Sequence, residues 1–193
     1  MHIAVIARVL GMLLMIFSFT MLSPIIVSSI YDESTSSTFL IAFAITLLFG
    51  LLFWLPAMRK KGELRTRDGF FVTVFFWLVL SAFGALPLWL SDALQLSFVD
   101  SLFESVSGLT TTGATVISGL DTLPKSILFY RQQLQWLGGI GIVVIAVAIL
   151  PMLGIGGMQM YRAETPGPLK DSKLTPRIAE TANVLFKIYL TIT

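Results

Sequence analysis

The stretch Leu94-Gln-Leu-Ser-Phe-Val-Asp-Ser-Leu-Phe-Glu-Ser-Val-Ser-Gly108-Leu-Thr-Thr-Thr-Gly113-Ala-Thr115 is too polar to cross a membrane and too apolar for a solvated loop. Phe98, Leu102 and Val106 recur at spacing four with Val99 and Phe103 beside them, which predicts a helix with an apolar stripe. Ser97 fits its N-cap and Gly108 its stop, so the helix is about 16 Å long, half a membrane. The run Leu109 to Thr115 then reads as extended, hydroxyl-rich backbone with a single glycine. Non-helical backbone at membrane depth is tolerated only where it is buried in protein or lines a water-filled cavity. Taken alone, the threonines also fit a helix end and a turn on the outer surface, so the flanking segments decide.

Those segments are membrane spans. Val9 to Tyr31, Ser34 to Met58, Gly69 to Ser91 and Gln132 to Tyr161 carry no charged side chain over 23, 25, 23 and 30 residues, each enough to cross a hydrocarbon core about 30 Å thick. The first is too long for a secretory h-region and reads as a retained helix. Only 12% of the 193 residues are charged against about 25% in soluble domains, so an ordinary soluble enzyme is excluded. With no Cys and only His2, thiolate sites, cysteine nucleophiles, multi-histidine metal sites and a Ser-His-Asp triad are also excluded. Neither a membrane enzyme nor a covalent cofactor is implied, and nothing points to nucleic acid.

Loop charges orient the spans. Arg59, Lys60, Lys61, Arg65 and Arg67 in one loop, and Arg162, Lys170, Lys173 and Arg177 in another, fall on one side if the helices alternate. The positive-inside rule makes that side, and the N-terminus, cytoplasmic; the same loops suit anionic lipid or a cytoplasmic partner. Asp32, Glu33, Asp92 and Asp121 make the opposite face acid-rich. The run 178–193 begins a further helix too short to cross, which predicts that the chain is part of a longer protein.

A half-helix followed by a Thr-Gly segment between two spans forms a re-entrant pore loop. Backbone carbonyls of Thr111 and Thr112, flanked by Thr110 and Ala114, can replace water around a dehydrated monovalent cation. Gly113 permits the backbone turn that aims them, and the negative end of the half-helix dipole points at the same ion. Asp100 and Glu104 lie one turn apart, and Arg131 enters the following span from the same side; pairing of Arg131 with either would brace the half-helix. Gly138, Gly139 and Gly141 lack the third glycine and the strand of a dinucleotide loop, and serve close packing against the half-helix instead. Pro24 and Pro87 fall late in their spans and kink or end them.

With these residues in view, Phe98 to Val116, Arg131-Gln-Gln-Leu-Gln-Trp-Leu-Gly-Gly-Ile-Gly-Ile142 and Leu150 to Glu164 resemble the first pore repeat of the Trk/Ktr/HKT superfamily of potassium-uptake proteins, and within it the bacterial TrkH-type membrane subunits. The resemblance covers essentially the whole chain. It implies a pore of four repeats in one polypeptide with one filter glycine per repeat, K⁺ at Thr111 and Thr112, and Gly113 as this repeat's filter glycine. It also implies a homodimer gated by a cytoplasmic nucleotide-binding, TrkA-like ring, in the bacterial inner membrane.

The expected fold is therefore all-α integral membrane: an N-terminal transmembrane helix pair (1–62), a membrane-pore-membrane repeat (63–162) with half-helix near 97–108 and filter near 110–115, a cytoplasmic linker (163–177) and the start of a second repeat (178–193). The expected function is potassium uptake through a carbonyl-lined filter. An ion-coupled secondary transporter with a helix broken at Gly138 to Gly141, and a non-transporting structural membrane protein, are the alternatives.

Overall fold

The computed structural model describes residues 3–58, 66–149 and 184–193, and every regular element among them is helical. In chain order these are α1 (Ile3–Thr20), α2 (Ser23–Ile30), α3 (Ser36–Trp54) with a 3-10 turn at Leu55–Ala57, α4 (Thr66–Gly84), α5 (Leu86–Trp89), α6 (Phe98–Leu109), a 3-10 turn at Leu120–Thr122, α7 (Lys125–Ile149) and α8 (residues 184–192). They fall into two compact units, Met1–Trp136 and Leu137–Thr193.

Among the described residues, three stretches are long and apolar enough to span a membrane: Ile6–Ile30, Ser36–Ala57 and Phe71–Trp89. They match the first three charge-free runs. The fourth run is covered by α7 as far as Ile149; its remainder, the linker 163–177, the whole second basic loop and residues 59–65 of the first lie outside the described residues. Leu40, Leu48, Leu52, Val74 and Leu78 point outward, as hydrocarbon-facing side chains do.

In the first unit α3 packs along α1 at a glycine crossing. A Cβ on Gly11 would fall 2.7 Å from the Gly50 carbonyl and from the Trp54 nitrogen, so only glycine allows the two backbones this close. Both proline positions break their helices. Pro24 has no N–H to give Thr20, whose carbonyl is instead reached by the Ser23 hydroxyl at 2.8 Å and by Gln133 Nε2 at 2.9 Å. At the second break, between α4 and α5, the Tyr130 hydroxyl donates to the Gly84 carbonyl at 2.9 Å. Two side chains of α7, one turn apart, thus bind backbone at the interrupted helices of two different spans. Tyr130 is fully buried and packs edge-on against Phe39, ring centres 5.4 Å apart. In the second unit the Tyr189 side chain of α8 lies against the bare Cα of Gly139.

Candidate functional site

The site is built on α6. Ser97 accepts the Asp100 N–H at 3.1 Å while its hydroxyl donates to the Asp100 carboxylate at 2.7 Å, an N-cap with an acid in the first turn. The helix ends at Leu109, one residue beyond the expected stop. Its packing face is the small-residue side and not the apolar stripe: Ser101, Glu104, Ser105, Ser107, Gly108 and Leu109 are buried, whereas Phe98, Val99, Phe103 and Val106 of the stripe are exposed. The reason is steric. Small side chains let α6 approach its neighbours, and a Cβ would fall 2.5 Å from the Ser105 hydroxyl at Gly84, or 3.0 Å from Leu134 Cβ at Gly108.

Beyond α6 the chain is not the uniform extended strand expected. The last helical carbonyls capture the first loop N–H groups: Thr110 donates to Val106 at 2.8 Å, Thr111 to Gly108 at 2.9 Å and Thr112 to Ser107 at 2.9 Å. The chain turns under these bonds, with Thr111 at φ +56° and Gly113 at φ +74°. Glycine takes such a conformation freely, but for β-branched threonine it costs on the order of 1–3 kcal/mol. In an extended strand successive residues face opposite ways, and left-handed residues at alternate positions remove that alternation. Thr110 and Thr112 hydroxyls meet at 2.8 Å across Thr111. Among the described residues none donates to the carbonyls of Thr110, Thr111, Thr112 or Gly113, and these residues are exposed. The Ala114 carbonyl differs, accepting the Ser107 hydroxyl at 2.6 Å.

The outgoing limb of the loop is held by Glu104. Its Oε1 accepts the Thr115 hydroxyl at 2.6 Å and the Val116 N–H at 2.7 Å, and its Oε2 accepts Arg131 Nε at 3.0 Å and Nη2 at 2.8 Å. The carboxylate is almost wholly buried, so the guanidinium supplies the counter-charge without which its desolvation would cost several kcal/mol. Arg131 therefore meets Glu104 and not Asp100, which is committed to the N-cap.

A second carboxylate anchors the start of α7. Glu33 Oε1 accepts the Lys125 N–H at 2.5 Å, and Oε2 accepts the Ser126 N–H at 3.1 Å and hydroxyl at 2.5 Å. Thr35 meets the Ser126 hydroxyl at 2.7 Å and donates to Ser28. Partial burial pushes the Glu33 carboxyl up, but the Ser126 hydroxyl, the two backbone N–H groups and the Lys125 charge together outweigh it and leave it below the usual carboxylate range. Of the glycines assigned to packing, Gly138 is buried, Gly141 is half-buried and Gly139 takes Tyr189, while the close approach of α7 to α6 is made by Leu134 on Gly108. No cluster of His, Asp or Glu suited to a metal ion occurs among the described residues. What the loop offers a cation is neutral backbone oxygen.

The model of the TrkH family, described as a cation transport protein, matches residues 35–193. The chain belongs to the TrkH family. It is 59% identical over all 193 residues to the Trk system potassium uptake protein TrkH of Halomonas elongata, and 54% identical over the same length to that of Escherichia coli K12. It spans 40% of the length of each. The crystal structure of the potassium transporter TrkH from Vibrio parahaemolyticus superposes with a TM-score of 0.83 at 50% identity, covering 99% of this chain and 37% of that one. Within this TrkH-family chain, Glu33, Ser107, Thr115 and Tyr130 take structural parts that their sequence neighbourhoods do not signal. Ser126 directly after Pro124-Lys125 marks a helix start, but its partner Glu33 is 93 residues away.

Proposed function

We propose that this chain forms the N-terminal helix pair and first pore repeat of a potassium-uptake protein in the bacterial inner membrane, with its N-terminus in the cytoplasm. Thr110, Thr111, Thr112 and Gly113 contribute one quarter of a filter in which backbone carbonyls replace the hydration shell of K⁺. The boundaries are those given above: helix pair 1–62, repeat 63–162, linker 163–177 and the start of a second repeat at 178–193. The whole protein is a homodimer gated by a nucleotide-binding cytoplasmic ring. K⁺ is cargo, driven inward by about 2.3 kcal/mol per 100 mV.

The observation that carries this reading is the strained turn at Thr111. A β-branched residue is held left-handed two positions before a left-handed glycine, and four consecutive carbonyls have no hydrogen-bond donor among the described residues. Strain maintained by surrounding bonds is characteristic of sites where geometry serves function.

The test is K⁺ and Na⁺ flux in proteoliposomes of the full-length protein, comparing wild type with Gly113→Ser. A side chain there meets nothing nearer than Gln135 Nε2 at 3.9 Å, so the substitution acts through the backbone conformation and not through a clash. A K⁺ preference falling by an order of magnitude or more supports the filter; an unchanged preference refutes it.

A further inference from the structure

We propose that Ser107 ends this repeat's row of coordinating carbonyls at Gly113 and so sets how sharply the filter discriminates K⁺ from Na⁺. The proposal rests on the reading of Thr110 to Gly113 as filter. Ser107 holds the loop on both sides of Gly113. Its carbonyl accepts the N–H groups of Thr112 at 2.9 Å and Gly113 at 3.4 Å, and its hydroxyl donates to the Ala114 carbonyl at 2.6 Å. That last bond occupies the next oxygen in the row, turning it into the protein and away from an ion.

Discrimination between monovalent cations depends on the number and field strength of the oxygens presented to them. Without the Ser107 hydroxyl, the Ala114 carbonyl lacks a donor and swings toward the same space as its four predecessors. The site then gains an oxygen and loses the brace that fixes Gly113.

The buried face of α6 contains an internal control. Ser101 and Ser105 are as buried as Ser107, but their hydroxyls have no hydrogen-bond partner among the described residues. Ser107 is thus singled out by its bond to the loop and not by its burial.

The experiment compares Ser107→Thr with Ser107→Val in the full-length protein in proteoliposomes, reading the K⁺ to Na⁺ flux ratio, with Ser101→Ala and Gly113→Ser alongside. Threonine and valine have one shape and differ in the hydroxyl. Ser107→Val should lower the ratio about fivefold, the factor given by one hydrogen bond's net contribution of about 1 kcal/mol, while Ser107→Thr and Ser101→Ala keep the wild-type ratio. Equal ratios for Ser107→Thr and Ser107→Val, or an equal fall in Ser101→Ala, overturn the proposal. If that happens while Gly113→Ser still collapses the ratio, the filter reading stands without it; if Gly113→Ser has no effect, both fall.

Discussion

Glu33 and Glu104 perform the same operation in two different solvents. Each carboxylate gathers one hydroxyl and one or two backbone N–H groups from another segment: Glu33 takes Ser126 and Lys125 at the start of α7, and Glu104 takes Thr115 and Val116 on the outgoing limb of the loop. Glu33 lies between two membrane spans, partly in water, where the positive end of a helix suffices to hold it. Glu104 is buried, and the helix it belongs to offers it no comparable field, so Arg131 completes the site. The difference teaches why a guanidinium stands in the interior of a membrane protein: it permits a strong acceptor to be placed against the loop. The two clamps are also in series. Glu33 fixes the beginning of α7, α7 carries Arg131, and Arg131 fixes the acceptor that holds Thr115.

The comparison breaks hardest at its buried end. Removing one member of a buried pair leaves an uncompensated charge, so Arg131→Ala should destabilise the protein by about 3–5 kcal/mol. The measurement is thermal unfolding of the full-length protein in detergent, with K⁺ flux in parallel; a change below about 1 kcal/mol would mean that the pair is solvated. Exchanging the two charges, Glu104→Arg with Arg131→Glu, would test pairing alone. The structure predicts that it restores less than pairing implies, because an arginine at position 104 cannot accept from Thr115 and Val116.

The partly hydrated clamp should break more gently. Glu33→Ala removes an acceptor shared by the first N–H groups of α7, a loss of about 0.5–2 kcal/mol by analogy with other N-terminal caps. Its unfolding midpoint should therefore fall by clearly less than the Arg131→Ala shift. Equal shifts would show that burial does not distinguish the two sites.

Much of this arrangement was legible from local signals. Unbroken apolar runs marked the first three spans, Pro24 and Pro87 the helix breaks, Ser97 the cap of α6, and the one-turn spacing of Asp100 and Glu104 narrowed the partners of Arg131 to two. What decided between those two was the N-cap, since a carboxylate already bonded to Ser97 is not free to pair. The apolar stripe marked α6 as a helix but did not show which of its faces packs, since a stripe signifies a core only in water. In a membrane protein the small residues make the close contacts and the apolar ones are left to face outward. The left-handed Thr111 had no sequence signal at all, because threonine is among the residues least expected there and its conformation follows from the capture of three loop N–H groups by the end of α6. Glu33 was read only as part of an acidic outer face, since its partners are more than ninety residues away.

The finest distinction between the clamps is electrostatic, and Glu33→Gln isolates it by keeping the shape and one acceptor while removing the charge. Folding lowers the Glu33 carboxyl below its ordinary range, so the folded state favours the ionised form. That contribution is present in full above the ordinary carboxylate value and is lost as pH falls through the lowered folded value. The difference in unfolding midpoint between wild type and Glu33→Gln should accordingly be largest near neutrality and shrink as pH drops through and below the usual carboxylate range. Its size should be that of a carboxylate at a helix N-terminus, about 0.3–1 kcal/mol, and decrease with added salt. A gap that stays constant with pH would assign the clamp to hydrogen-bond geometry alone, and Glu33 would then differ from Glu104 in its dependence on charge as well as in burial.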